Sequence, residues 1–435
     1  MLSYQQTLDL VYRLEVERMD LKLERVAEAL RLCGSPHLRF PAIHVAGTNG
    51  KGSTATFLHA MLSAAGYRVG LFTSPHLIDF RERIRLGHTW ITEQAVIDGV
   101  AAIRAEIEPA GIKLTPFELM TVLAFRAFAQ ASLDVAVVEV GLGGRLDATN
   151  VLTPLVAAIT SIGLDHQAYL GNTIADIARE KGGIIKPGVP TVIGRVDEES
   201  RQILCALARD RESSVYLLGQ DFTIQDRPDG QASYHGFRWH LQDLQLGLCG
   251  RVQHDNAAVA LAALELVQQA FPTTEAQVRR GLQTARWPGR LEVVSQQPFV
   301  VLDGAHNPHA MQTLIAELPA LLQGKKVKLL FAVMRDKDWR TMIALLAPLA
   351  TEVVVTRVQQ ARAEDPAVLQ AAFAPFCPVR IVDDAQSACR QLLATTRPDE
   401  ALLIAGSLFL VGEVYPLFSP TVMRPVPELE KGQSA

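Results

Sequence analysis

Cysteine is scarce in this chain: five residues of 435, at positions 33, 205, 249, 377 and 389. The number is odd and no C-x-x-C pair occurs, which argues against both a disulfide framework and a cysteine zinc site. Reduced, mostly buried thiols in a reducing, cytoplasmic compartment are expected instead. An excess of one charge is also missing. The 42 basic and 46 acidic residues give a net charge of −4, with no block of like sign. Neither nucleic acid nor a membrane surface is expected as a partner, although a small basic pocket is allowed. One apolar stretch, Ala401 to Phe418, is long enough to be weighed as a membrane span. It is interrupted by Glu413 and Pro416 and has no basic flank, so it reads as a buried strand, a Gly-Ser turn and a short helix. The start, Met1-Leu2-Ser3-Tyr4-Gln5-Gln6, lacks the basic and apolar regions of a signal peptide. What remains is a balanced composition, 49% hydrophobic and 20% charged, typical of a soluble globular protein. At about 100–200 residues per domain, two or three domains are expected, and the chain is expected to be a monomer acting on small molecules.

Short β-branched runs alternate with helical patterns along the chain. In the first half the runs are Ala42–Ala46, Arg68–Thr73, Asp134–Val140, Leu155–Ser161 and Pro190–Gly194, with helices predicted at Gly52–Ala65 and Glu118–Ala131. The runs are almost wholly apolar, as in parallel strands covered on both faces. This predicts a doubly wound, mostly parallel α/β sheet. Asp221 to Gly250 breaks the pattern with a Pro228-Asp229-Gly230 turn among mixed aromatic and polar residues, predicting a small antiparallel insertion. A helix follows at Ala257–Ala270. Strands then resume at Phe299–Leu302, Lys326–Val333, Glu352–Thr356, Val379–Val382 and Leu402–Ala405, with Trp287-Pro288-Gly289-Arg290 as a linker. The expected plan is a P-loop-type domain over 1–288, a second Rossmann-like α/β domain over 289–422, and a loose tail over 423–435.

The sharpest chemical signal is Ala46-Gly47-Thr48-Asn49-Gly50-Lys51-Gly52-Ser53, which follows a predicted strand and opens a helix. Glycines let backbone N–H groups close around phosphate oxygens, and the helix N-terminus favours an anion. Lys51 can neutralise the β- and γ-phosphates and Ser53 can turn a hydroxyl toward Mg²⁺. The pattern departs from the usual one, with Val45 for the first glycine and Gly52 after the lysine; a tight strand-to-helix turn is the alternative. A second signal is Glu139-Val140-Gly141-Leu142-Gly143-Gly144-Arg145-Leu146-Asp147-Ala148-Thr149-Asn150, at another strand's C-terminal end, where open α/β sheets bind ligands. A carboxylate there suits Mg²⁺ beside a triphosphate, although Glu139 alone could equally cap a helix. Asp165-His166 ends the next strand in the same manner.

These motifs, with Thr73-Ser74-Pro75-His76-Leu77, Arg179-Glu180-Lys181, Asp303-Gly304-Ala305-His306-Asn307-Pro308 and Gly406-Ser407-Leu408, occur in one order. In that order the chain closely resembles the folylpolyglutamate synthases, in particular the bacterial bifunctional dihydrofolate synthases, relatives of the muramyl-peptide ligases. The resemblance runs from about Leu23 to Glu413. It implies that Thr48, Asn49, Gly50, Lys51, Gly52 and Ser53 hold the ATP phosphates, and that Ser74, Glu139 and His166 bind Mg²⁺. It implies a carbamylated Lys181 supporting a second metal. Thr115, Pro116, Phe117 and Glu118, with Leu146, Asp147 and Ala148, match the pterin-binding segments, where Phe117 can stack and Asp147 can accept from N–H groups. Asn256, Arg290 and Asp303 match nucleotide contacts. Three positions depart from the family pattern: Gly182 where alanine is common, Val252 where histidine is frequent, and Phe409 where tyrosine is usual.

The resemblance implies a two-step ligation. ATP phosphorylates the substrate carboxylate, with Lys51, Mg²⁺ and loop amides neutralising charge. The amine of L-glutamate then attacks the acyl-phosphate, with His306 a candidate base and domain closure excluding water. The pterin substrate is dihydropteroate or a reduced folate. A muramyl-peptide ligase is the nearest rival, disfavoured by Thr115–Glu118 and by the lack of a separate nucleotide-sugar domain. An ATP-driven switch would not need Asp303–Pro308. A dinucleotide oxidoreductase would need a G-x-G-x-x-G fingerprint that follows none of the predicted strands.

Overall fold

The computed structural model describes residues 2–14, 22–227 and 230–418. The expected tail and the Pro228-Asp229 part of the turn lie outside the described residues. The chain packs as two units: one up to Leu246 with His254–Ala285, the other Gly247–Gln253 with the described residues from Arg286 onward. The segment Gly247–Gln253, read from sequence with the first domain, clusters with the second unit. There the backbone N–H groups of Arg251 and Val252 donate to Glu317 Oε1 at 2.8 and 3.3 Å.

The first unit is built on β1 (Ala42–Ala46), β2 (Val69–Phe72), β3 (Ile84–Leu86), β4 (Thr89–Trp90), β5 (Val135–Glu139), β6 (Val156–Ile159), β7 (Thr191–Ile193) and β8 (Val215–Leu217). Their order in the sheet is β4-β3-β2-β5-β1-β6-β7-β8. From β2 to β8 all neighbours are parallel; β3 and β4 add an antiparallel edge. The residues of β1, β2, β5, β6 and β7 are all buried, which is why these strands read as apolar runs. Strands β3, β4 and β8, with two or three part-exposed residues, carried no such run. One core packs beneath the helices Glu93–Ile107 and Pro116–Gln130, and another beneath Ile174–Gly182 and Glu198–Asp210. The insertion is an antiparallel sheet of β9 (Thr223–Asp226), β10 (Ala232–His235) and β11 (His240–Leu244).

The second unit has β12 (Glu292–Gln296), β13 (Phe299–Leu302), β14 (Lys326–Phe331), β15 (Ala350–Arg357), β16 (Val379–Asp384) and β17 (Glu400–Ala405). Their order is β12-β13-β17-β14-β15-β16, parallel throughout except β12. Strand β12 is half-exposed and mixes polar with apolar residues, so its sequence gave no strand signal. The stretch weighed as a membrane span resolves into β17, a Gly406-Ser407 turn and the helix Leu408–Val414. Among the described residues no helix is long and apolar enough to cross a membrane.

In the first unit β2, β5, β1 and β6 are adjacent and parallel. Their C-terminal ends, with the segments that follow them, carry Ser74, Glu139, Gly47–Ser53 and Asp165-His166. Four sequence motifs far apart in the chain therefore share one sheet edge, the usual ligand crevice of open α/β sheets.

Candidate active site

The loop after β1 requires glycine at two points. Gly47 has φ 151° and a Cβ there would lie 1.9 Å from Thr160 Oγ1. Gly50 has φ 83° and a Cβ would lie 2.2 Å from Asn256 Oδ1, which also sets the Asn256 side chain against the loop. The loop is strapped to the turn after β6: Thr48 N donates to Ser161 O at 2.8 Å, and Thr160 Oγ1 and Ser161 Oγ donate to Asn49 O at 2.6 and 3.0 Å. The helix Lys51–Ala64, which contains Gly52 and Ser53, starts with no side-chain cap. Its first N–H groups are thus set up for an external anion.

Two ammonium groups meet at this loop. Lys51 Nζ donates to Gly47 O and Thr48 O at 3.0 and 3.2 Å, and Lys181 Nζ donates to the same Gly47 O at 2.9 Å. Lys181 is 5% exposed. Burial first, and the Lys51 charge second, push its pKa down to about 7, against the opposing pull of Asp165 and Asp147. A lysine so placed reacts as a free amine far more readily than a surface one, while Lys51 beside it brings a cation to the loop.

The helix Ile174–Gly182 that carries Lys181 is held by the glycine stretch after β5. Arg145 N donates to Glu180 O at 2.8 Å, and a Cβ on Gly144 would lie 2.8 and 2.9 Å from the carbonyls of Glu180 and Lys181. Gly182, where the family commonly has alanine, permits close packing: a Cβ would lie 2.5 Å from Leu207 Cδ1.

Asp147 is buried and caps the short turn Ala148–Val151. Its carboxylate accepts from Leu142 N at 2.7 Å, from Thr149 N at 3.0 Å and from Thr149 Oγ1. Burial raises its pKa while these hydrogen bonds oppose the rise. A carboxylate has about four acceptor sites, so a substrate N–H would compete for what these donors leave. Phe117 lies over Gly141 of the same loop: a Cβ on Gly141 would lie 2.2 Å from the Phe117 ring, which also packs on Phe72 at 5.9 Å between centroids. Leu146 is half-buried and Ala148 buried.

The other members of the expected pterin segment have local work. Thr115 caps the helix with Pro116 in its first turn, and Glu118 completes a capping box with Thr115 N at 2.7 Å. Glu118 is also gripped by Arg25 through Nε and Nη2, at 2.7 to 3.1 Å. These three residues fix the start of the helix on which Phe117 rides.

Of the expected metal ligands, the structure joins Ser74 and Glu139: Ser74 N donates to Glu139 Oε2 at 3.1 Å, and Glu139 is 3% exposed. Beside them lies buried Arg83, whose Nε donates to His76 Nδ1 at 2.8 Å. His166 has φ 51°, begins a short helix, and turns its ring toward Asp165, with Nε2 to Oδ2 at 3.9 Å. Among the described residues no three His, Cys, Asp or Glu side chains form a metal cluster. A buried carboxylate next to a serine suits Mg²⁺, a hard cation that completes its shell with water and phosphate oxygens rather than a full protein cage.

In the second unit, Asp303 follows β13 and accepts from Leu291 N at 2.8 Å and Ala305 N at 2.7 Å. Burial raises its pKa, opposed first by Arg290. A Cβ on Gly304 would lie 2.2 Å from Arg290 Nη1, so glycine makes room for that guanidinium. His306 Nδ1 lies 2.8 Å from Gly304 O; since a carbonyl only accepts, Nδ1 carries the proton and Nε2 is the basic nitrogen. Sequence reading missed His44 and Thr149, which lie behind Asp147. The signal was a histidine inside the apolar run Ala42–Ala46.

A nucleotide-type loop at one sheet edge, with a second α/β unit downstream, defines a class of ATP-using ligases. Two family models agree with it: the Mur ligase middle domain matches residues 45–264, and the Mur ligase glutamate ligase domain matches 289–408. Folylpolyglutamate synthase from Lacticaseibacillus casei is 36% identical over 411 residues, 90% of this chain and 92% of that one. Dihydrofolate synthase/folylpolyglutamate synthase from Bacillus subtilis is 35% identical over 405 residues, 90% of this chain and 94% of that one. Among solved structures, E. coli FolC in complex with DHPP and ADP superposes with a TM-score of 0.90 at 32% identity, over 96% of this chain and 98% of that chain. Mycobacterium tuberculosis folylpolyglutamate synthase complexed with ADP gives a TM-score of 0.89 at 32% identity, over 97% and 99%. The chain belongs to the folylpolyglutamate synthase family, in its bacterial bifunctional branch.

Proposed function

We infer that this protein is an ATP-dependent ligase joining L-glutamate to the carboxylate of dihydropteroate, of a reduced folate, or of both, through an acyl-phosphate. The observation that carries the reading is the pair Lys51 and Lys181 on the Gly47 carbonyl, beside an uncapped helix N-terminus. The names of its relatives and their ADP and DHPP ligands point to the same chemistry.

In the first step a substrate carboxylate oxygen bonds to the γ-phosphorus and the bond to ADP breaks. Lys51 and the amides of residues 48–53 hold the phosphates and neutralise charge developing on them. Asn256, set against Gly50, is assigned a nucleotide contact. Glu139 and Ser74 are the residues fitted to hold Mg²⁺, which supplies charge neutralisation when bound; His166 and a carbamylated Lys181 complete the proposed set. In the second step the glutamate amine attacks the carbonyl carbon, the C–N bond forms, and phosphate leaves with the former carboxylate oxygen. His306 Nε2 takes the proton the amine loses. Phe117 and Asp147 are assigned to the pterin, framed by Thr115, Pro116, Glu118, Leu146 and Ala148. The nucleotide roles implied for Arg290 and Asp303, a monomeric state and a cytoplasmic location belong to the same proposal.

The test is a drop-out assay of ADP release. Turnover should need both the pterin acid and glutamate. Equal ATP hydrolysis with neither present would make the protein a nucleotide-driven switch and overturn the reading.

A further inference from the structure

His44 sits in the middle of β1 with no solvent exposure, between Val138 on β5 and Ala157 on β6. A polar ring in a buried strand is costly unless it is hydrogen-bonded. Burial, reinforced by the charge of Lys186, lowers its pKa to about 3, so the ring is neutral. Its Nδ1 is buried and has no hydrogen-bond partner. The other nitrogen, Nε2, lies 2.8 Å from Thr149 Oγ1. The same hydroxyl contacts Asp147 Oδ1, which also accepts from Thr149 N at 3.0 Å, while Leu142 N donates to Oδ2 at 2.7 Å.

Proton counting gives this chain a direction. A threonine hydroxyl has one proton. With backbone donors converging on both carboxylate oxygens, Asp147 is the acceptor, and the hydroxyl proton goes to it. The hydroxyl oxygen must then accept from His44, so Nε2 carries the imidazole proton and Nδ1 is the bare nitrogen, matching its lack of a partner. Linked donors of this kind polarise one another and fix one another's orientation.

We propose that His44 is a positioning residue: through the Thr149 hydroxyl it sets the orientation of the Asp147 carboxylate, and so the affinity for the pterin ring. This rests on the assignment of Asp147 to the pterin. Nothing in the relay touches the phosphate loop hydrogen bonds described above. Loss of the His44 donor removes the partner that fixes the rotation of the Thr149 hydroxyl, and with it the fixed hold of that hydroxyl on Asp147 Oδ1.

The experiment compares Michaelis constants for dihydropteroate and ATP in Asp147→Asn, His44→Leu, His44→Gln, Thr149→Val and Thr149→Ser. Thr149→Val should raise the dihydropteroate KM by about tenfold, the scale of one hydrogen bond to a charged group, and His44→Leu by about threefold to fivefold, the scale of one between neutral groups. The ATP KM should stay within about twofold, since no phosphate contact is lost. His44→Gln, whose amide N–H can replace Nε2–H, and Thr149→Ser, which keeps the hydroxyl, should recover most of the affinity. If His44→Leu does not fold, His44→Phe, which keeps a ring of similar shape without the Nε2 proton, takes its place. An unchanged dihydropteroate KM in His44→Leu and Thr149→Val, with Asp147→Asn impaired, overturns the relay and leaves the assignment of Asp147 standing. Equal rises in both constants also overturn it. An unimpaired Asp147→Asn removes the assignment itself, and the relay with it.

Discussion

Two lysines, one in each unit, are buried to a similar degree, Lys181 at 5% exposure and Lys328 at 8%, yet their surroundings are opposite. Lys328, on β14, lies 3.4 Å from Glu352 and 3.4 Å from Glu400 and donates to Thr395 O at 2.9 Å. Lys181 has a peptide carbonyl and the neighbouring Lys51 ammonium. A buried charge is tolerated when it is paired, and Lys328 is. Lys181 is held in a place that disfavours its own charge, which is the mark of a group arranged for a ligand or for chemistry rather than for stability. The second unit uses its buried lysine to tie strand starts together; the first keeps one ready beside an anion site.

The comparison can be broken most decisively at the phosphate loop. Lys51→Ala should lower kcat by at least ~100-fold, the scale of losing a preorganised transition-state charge; near-normal turnover would move the nucleotide site elsewhere. Lys181→Ala should be nearly inactive and partly restored by added acetate, whereas Lys181→Arg should not recover, because the proposed carbamate supplies a carboxylate. High-resolution density showing an unmodified amine at Lys181 with both metals bound would remove that proposal. At the pterin side, Gly141→Ala should displace the Phe117 ring and raise the dihydropteroate KM by about tenfold, the scale of a disturbed aromatic contact. An ATP KM rising in step would count against the assignment. Lys328→Met should leave kcat unchanged but cost about 1 kcal/mol in stability, the scale of one lost partner, since Glu400 keeps Arg397 Nη2 at 3.0 Å, and thermal melts would detect it.

A further effect concerns pH. The pKa of Lys181 is lowered to about 7 in the folded chain and is about 10.4 when unfolded. Between these values the unfolded state binds more protons, so stability rises with pH. The penalty is fully present below pH 7 and is relieved as pH climbs toward 10. Ligand-free protein should therefore gain stability from pH 7 to 9.5 relative to Lys181→Met, as read by denaturant melts at each pH. Parallel curves for the two proteins would show that Lys181 is not strained.

The parallel strands were legible because burial on both faces makes them nearly pure apolar runs, as in Val135–Glu139. The hairpin Ile84–Trp90 and strand β12 were not, because short edge strands are half-exposed and need no such run. The phosphate loop was readable since Gly47 and Gly50 are forced by positive φ and close neighbours. The division of labour within Thr115–Glu118 was not, because a cap and an ion pair with Arg25, 93 residues away, appear only on folding. His44 shows the same limit: a histidine in a strand reads as a core residue until Thr149, 105 residues on, is seen against it.

The most direct test of acyl-phosphate ligation follows oxygen. Dihydropteroate labelled with oxygen-18 in its carboxylate should be turned over with ATP and glutamate, and the released phosphate analysed by mass spectrometry. Carboxylate phosphorylation followed by amine attack transfers one labelled oxygen to each phosphate formed. Phosphate free of label, with glutamate still joined to the pterin acid, would contradict the mechanism proposed for this site.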